Sequence, residues 1–115
     1  MPRFVLLHHE CPPSFGKPSH WDLMLECDGV LLTWSLPALP AAWGGEGGSA
    51  AEQIAATRLA DHRIAYLDYE GPISGDRGVV KRVDGGEYEV LAEADGVLRV
   101  RLQAAQAEDV IELRL

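Results

Sequence analysis

Short alternating segments separated by Asp-Gly steps constrain this chain more than any other feature. Asp28-Gly29, Asp84-Gly85-Gly86 and Asp95-Gly96 each separate two runs in which apolar and polar residues alternate. Asp-Gly readily supplies the positive φ angles of a tight hairpin, so each step predicts an antiparallel turn. The candidate strands are Arg3 to His9, His20 to Cys27, Val30 to Leu36, Arg58 to Asp61, Ala65 to Glu70, Gly78 to Val83, Glu87 to Ala92, Val97 to Leu102 and Val110 to Leu115. Many short strands at close spacing favour a barrel or a sandwich. The expected fold is all-β: a small closed or partly open β-barrel of mostly antiparallel strands with one short helix. Two stretches interrupt the pattern. CPPSFGKPS, Cys11 to Ser19, is too rich in proline for a strand and must be a loop. Pro37 to Gly48 reads as a surface excursion or lid. Ser49-Ala-Ala-Glu52 then resembles a capping box, which predicts a short helix to about Ala56 that could plug an open barrel end.

A length of 115 residues suggests a single domain over 1–115, large enough to bury a core without disulfide staples. Two cysteines make no disulfide framework. Nothing approaches the ~20 apolar residues of a membrane span. The start MPRFVLLHHE lacks a signal peptide's longer apolar core, so a cytoplasmic location with no membrane partner is expected. The formal net charge is -8. That balance argues against a broad electrostatic grip on nucleic acid. A small site that takes one strand end is compatible with it, because a metal can outweigh the distant field.

SHWDLMLE, Ser19 to Glu26, carries the chemistry. With period two, Trp21, Leu23 and Leu25 point one way, and His20, Asp22, Met24 and Glu26 the other. His9 ends the preceding strand, and the Pro-rich loop folds it back toward His20. Two imidazoles and a carboxylate form an N,N,O set suited to Mn²⁺, Fe²⁺ or Zn²⁺ with positions left open. The plain alternative is that each histidine is a hydrogen-bonded, half-buried strand residue, the commoner case for any one taken alone. Glu26 shares the His20 face and is a candidate to orient a metal-bound imidazole. Cys11 with His8 or His9 could hold zinc, but no second ligand motif completes the set; a loop or core thiol is the expected role. Trp43, in the Gly-rich excursion, is a candidate base-stacking surface.

These segments also resemble a known family. RFVLLHHE, HWDLMLE, DGVLLTWSLP and LADHRIAYLDYEG, followed by a Gly-rich strand pair, are similar to the 3'-phosphoesterase domain of bacterial end-joining DNA ligase D, in a free-standing, divergent form. The resemblance runs from residue 3 to about 92 and is most specific around Trp21 to Trp34. It implies a compact β-barrel, a divalent metal (manganese first, zinc or another transition metal second) and trimming of the 3' ends of DNA or RNA. By the same resemblance, His9, His20 and Asp22 match metal positions. His62 matches a catalytic histidine that contacts the phosphate, and Tyr66 a tyrosine lining that pocket. A nucleic-acid 3' end or a small phosphate ester would be the substrate, and a DNA-repair protein a partner.

Several positions depart from the family pattern. Met24 stands where the family has an arginine, and a thioether replaces neither its charge nor its donors. Ala60 stands where the family has an acid, and lysines flanking the family's Trp strand are absent. Cations that could stand in are Arg3, Lys17, Arg58, Arg63, Lys81 and Arg82, with Lys17 favoured by its place in the loop between the two histidines. Two readings therefore stand: a metal-dependent 3'-phosphoesterase, or a non-catalytic metal- or phosphate-binding barrel that serves as an interaction module. Oxidative chemistry at a two-His, one-carboxylate iron site ranks last, with nothing else in the sequence behind it.

Overall fold

The computed structural model of the chain describes residues 2–12, 19–44, 52–53, 56–73, 78–105 and 107–115. Its strands are β1 (Arg3–Glu10), β2 (His20–Cys27), β3 (Val30–Leu36), β4 (Glu52–Gln53), β5 (Thr57–Arg63), β6 (Gly71–Pro72), β7 (Val79–Ala94), β8 (Val97–Ala104) and β9 (Glu108–Arg114). They form one sheet in the order β4-β9-β8-β7-β1-β2-β3-β5, with β6 beside β7. The β4–β9 pair is parallel. The hairpins at Asp28-Gly29 and Asp95-Gly96 form as expected. Asp28 and Asp95 take φ of 50° and 55°, and the glycines after them 84° and 76°. Positive φ at both central residues matches the twist of the flanking strands.

The sheet curls until its ends approach each other. Trp34 on β3 donates its indole N–H to the carbonyl of Arg114 on β9 at 2.7 Å. β4 lies on β9 and β5 on β3, at the two ends of the strand order. This is an all-β, partly open barrel. Alternation sends Phe4, Leu23, Leu25, Trp34, Val100, Leu102 and Ile111 into its inner core. The opposite face is not left to solvent. Val5, Leu7, Met24, Leu31, Leu67 and Val80 form a second buried cluster there. Its cover is the segment after β5, where the 3₁₀ turn Ile64–Leu67 lays Ile64, Tyr66 and Leu67 on the sheet. None of the helices among the described residues is long and apolar enough to cross a membrane.

Three expectations are corrected. Ala65 to Glu70 is no strand; Ile64–Leu67 is a 3₁₀ turn, and its apolar side chains cap the second cluster. Asp84-Gly85-Gly86 is no hairpin but the middle of the single long strand β7, with a bulge opposite Leu6 and Leu7. Here β7 passes from pairing with β1 to pairing with β8, and Gly86 sits opposite both Phe4 and Ala104. A Cβ on Gly86 would run into the backbone of Gln103 and Ala104, and one on Gly85 into the Arg82 guanidinium. Glycine serves close strand approach here, not a turn. Of the helix expected from Ser49 to Ala56, residues 49–51 and 54–55 lie outside the described residues, and Glu52–Gln53 is strand.

Part of the Pro37 to Gly48 excursion is firmly seated. The 3₁₀ turn Ala41–Trp43 receives the Asp109 carboxylate on the Ala42 N–H at 3.3 Å. Trp43 donates its indole N–H to Asp84 at 2.7 Å and meets the Phe4 ring edge-on at 6.1 Å. Its ring is engaged in packing rather than offered to a base.

Candidate metal centre

Strand register alone assembles the cluster. β1 and β2 pair so that His9 faces His20 and Leu7 faces Asp22. Antiparallel partners project to the same side, and the period of two returns Asp22 to the side of His20. The result is two imidazoles and a carboxylate on one patch. His9 Nδ1 lies 3.7 Å from Asp22 Oδ2, and His20 Nε2 lies 3.2 Å from Asp22 Oδ1. The two imidazole rings are 4.7 Å apart, centre to centre. The His9, His20 and Asp22 side chains retain only 11%, 6% and 6% of their exposure.

The carboxylate is incompletely satisfied. Asp22 Oδ1 is buried and accepts no hydrogen bond from the described residues; the His20 ring is close but is not aimed as a donor. Leaving such an oxygen unbonded costs about 1–3 kcal/mol, and more when it is charged. Two imidazoles facing an orphaned carboxylate oxygen is the donor chemistry a divalent transition ion satisfies. These residues fit such an ion.

Cys11 belongs to the same cluster. Its Sγ lies 3.9 Å from His20 Nδ1. One donor atom each from His9, Cys11 and His20 falls within 4.8 Å of the others. The Cys11 backbone N–H donates to Ser19 Oγ at 3.0 Å, closing the loop mouth so that the residues after β1 and before β2 stay together. Its signal in the sequence was its place in HHEC, two residues after His9.

The other expected site residues are placed differently. Lys17 lies outside the described residues. His62 faces Leu31, and Leu31 faces Glu26, so its row crosses β2 four residues beyond Asp22, roughly 13 Å along the strand. It stands on the same side of the sheet as the second apolar cluster. Its ring meets Tyr66 edge-on at 5.6 Å, and Tyr66 meets Tyr69 at 5.7 Å. His62 Nδ1 is 2.9 Å from the Ala60 carbonyl. A carbonyl only accepts, so Nδ1 carries the proton and Nε2 faces outward as acceptor, or as donor once protonated. A pocket of about 270 Å³ adjoins this group, lined by Arg63, Ala65, Tyr66, Tyr69, Pro72 and Ile73. Glu26 accepts the Arg3 backbone N–H at 3.0 Å, far along β2 from His20.

The position of the family's arginine is apolar. Met24 is 1% exposed among Val5, Leu7, Leu31, Leu67 and Val80. Of the possible stand-ins, Arg3 pairs with Asp68 at 3.3 Å, Arg58 with Asp61 at 3.0 Å and Lys81 with Glu10 at 3.7 Å. Arg82 donates to the Leu67 carbonyl at 2.6 Å. Arg63 is the cation that borders the pocket. The second cysteine stands apart from the cluster. Burial, reinforced by the Asp28 carboxylate, pushes the Cys27 thiol up and keeps it protonated.

A curled, mostly antiparallel sheet carrying a cluster of two imidazoles, a carboxylate and a partly buried thiol defines a small β-barrel with a candidate metal-binding site at a strand end. The particular family follows from comparison with known proteins. The profile of the DNA Ligase D 3'-phosphoesterase domain matches residues 9–115. The chain is 33% identical over 90 residues, 75% of its length, to the multifunctional non-homologous end joining DNA repair protein LigD of Mycobacterium tuberculosis. It is 35% identical over 91 residues, 76% of its length, to the multifunctional non-homologous end joining protein LigD of Mycolicibacterium smegmatis. The match spans 10% of the length of each of these relatives. The chain belongs to the DNA ligase D 3'-phosphoesterase domain family.

Proposed function

We propose that this chain is a metal-dependent phosphoesterase acting on the 3' ends of DNA or RNA in repair, at a centre built on His9, His20 and Asp22. The observation that carries the reading is the meeting of those three side chains around a buried carboxylate oxygen without a hydrogen bond. The family it belongs to points the same way. Manganese is the first choice of ion, with zinc or another transition metal second. The chemistry supplied at such a centre is polarisation of a phosphoryl oxygen and activation of water.

The chain's own residues supply the rest. His9 and His20 present ring nitrogens from paired strands, held in register by the β1–β2 ladder. Asp22 brings the negative charge. His62 and Tyr66, in a row roughly 13 Å along β2 from Asp22, would meet a part of the substrate away from the ion. His62 Nε2 would hydrogen-bond that part while Nδ1 stays anchored on Ala60. Arg63 borders the pocket beside Tyr66 and would offer it a positive charge.

The test is purified protein with Mn²⁺ and a DNA primer bearing a 3'-phosphate. Wild type should release inorganic phosphate, and His20→Ala should lower the rate by a hundredfold or more, on the order of 3 kcal/mol of barrier. If the two proteins are equally inert across a series of metals, the enzymatic reading fails. The burial of Met24 favours a second reading. In that reading the barrel binds a metal or a phosphate and docks to a repair protein without turnover. It predicts metal binding by wild type together with no release of phosphate.

A further inference from the structure

Cys11 is the feature of the centre that the family pattern does not account for. It follows His9 by two residues, and the Ser19 hydroxyl holds its backbone in place at the loop mouth. Its sulfur sits on the Nδ1 side of the His20 ring at 3.9 Å, while Asp22 Oδ1 occupies the Nε2 side at 3.2 Å. His20 therefore presents one nitrogen to a thiol and the other to a carboxylate. His9 is common to both sides: its donor atom lies within 4.8 Å of Cys11 Sγ and of His20's, and its Nδ1 lies 3.7 Å from Asp22 Oδ2. A thiol alone would mean little. The independent sign of a ligand is Asp22, 4% exposed, whose Oδ1 points into the cluster without a hydrogen bond from the described residues.

We infer that Cys11 is a direct ligand to the ion, closing an N,N,S set with His9 and His20. This rests on the reading of His9, His20 and Asp22 as a metal centre and deepens it. Thiolate is a soft donor that zinc and cobalt accept readily, whereas manganese prefers oxygen and nitrogen. On this assignment the centre selects zinc over manganese. Binding puts the Cys11 sulfur on the ion as thiolate and releases its proton to solvent.

Cobalt(II) reports both parts of the claim. The experiment titrates Co²⁺ into a Cys27→Ser protein, which removes the other thiol, and into the same protein carrying Cys11→Ser. Thermal melts of both without metal establish that each is folded. The expected result is visible d–d bands together with a near-ultraviolet thiolate-to-cobalt charge-transfer band in the first protein. Cys11→Ser should lose the charge-transfer band while keeping d–d bands, and Zn²⁺ should displace Co²⁺ from the first protein at far lower concentration than Mn²⁺ does. Asp22→Asn should keep the charge-transfer band. Bands of d–d type with no charge-transfer band in the Cys27→Ser protein would overturn the Cys11 assignment and leave the metal centre standing. An Asp22→Asn protein that binds no cobalt, although it is folded, would overturn the N,N,S set by making the carboxylate a ligand. No cobalt spectrum at all would overturn the metal centre itself, and the inference with it.

Discussion

At the scale of single residues, Met24 decides how far the centre can resemble the rest of its family. It occupies β2 between Asp22 and Glu26, on the side where the family carries an arginine, yet it is packed among aliphatic side chains. Substituting Arg there would force a guanidinium into that cluster. An uncompensated buried charge typically costs about 3–5 kcal/mol. We expect Met24→Arg to lower the chemical-denaturation stability by at least about 3 kcal/mol, or to abolish folding. Met24→Leu conserves volume and should cost under about 1.5 kcal/mol. A Met24→Arg protein as stable as wild type would mean that the side chain reaches solvent or an acid, and that the apolar reading of this position is wrong. Much of the centre's chemistry was legible at this scale, because His9, His20 and Asp22 follow from strand alternation and one loop. Cys11 was harder to weigh. It lies beyond the alternating run, and only the closure of the loop by Ser19 shows that it stays beside His9.

Among elements, β1, β2 and β3 could be read to within a residue, while the middle of the chain could not. The first three strands are apolar-rich runs with clear breaks around them, and β2 and β3 are joined by a turn whose Asp-Gly pair has one structural use. Asp84-Gly85-Gly86 has two. The same residues that make a hairpin also make a strand that can be approached closely, and the sheet uses them for the second purpose. The apolar residues from Ile64 to Leu67 were ambiguous for a related reason. A single 3₁₀ turn and a short strand can both cover a neighbouring face, and four residues are too few to distinguish the periods. The strand crossing gives an ordered prediction. At Gly86 an added Cβ meets backbone of β8, which cannot yield without moving the strand. At Gly85 the closest obstacle is the end of the Arg82 side chain, which can swing aside, although the Phe4 carbonyl at 3.1 Å is also near. Gly86→Ala should therefore cost more than Gly85→Ala, about 2 kcal/mol or more against roughly 1 kcal/mol, by the usual penalty for overpacking. Urea denaturation of the two variants measures it. Equal costs would mean that β7 and β8 are less closely joined at this point than the structure has them.

For the molecule as a whole, charge sets the manner in which it can meet a nucleic acid. Eighteen acidic side chains against ten Lys and Arg give a net charge of -8. Several of the cations are already paired, Arg3 with Asp68, Arg58 with Asp61, and Arg101 with Glu89 and Glu108. A duplex laid along such a surface would be repelled over most of its length. On the proposed function, binding would be confined to a strand end, where a metal ion and one or two cations meet one or two phosphates. Counterion release then gives a slope of log K against log salt of only about -1 to -2, since each phosphate contact contributes roughly -0.7 to -0.9. Repulsion from the rest of the surface, relieved as salt rises, flattens the slope further. We expect a 3'-phosphorylated oligonucleotide, measured by fluorescence anisotropy with saturating divalent metal, to follow this shallow dependence. Lengthening the strand away from its 3' end should add little affinity. A slope steeper than about -5, the behaviour of a protein gripping six or more phosphates, would show that the molecule holds nucleic acid along its length. The strand-end site argued from the barrel's chemistry would then be the wrong place to look.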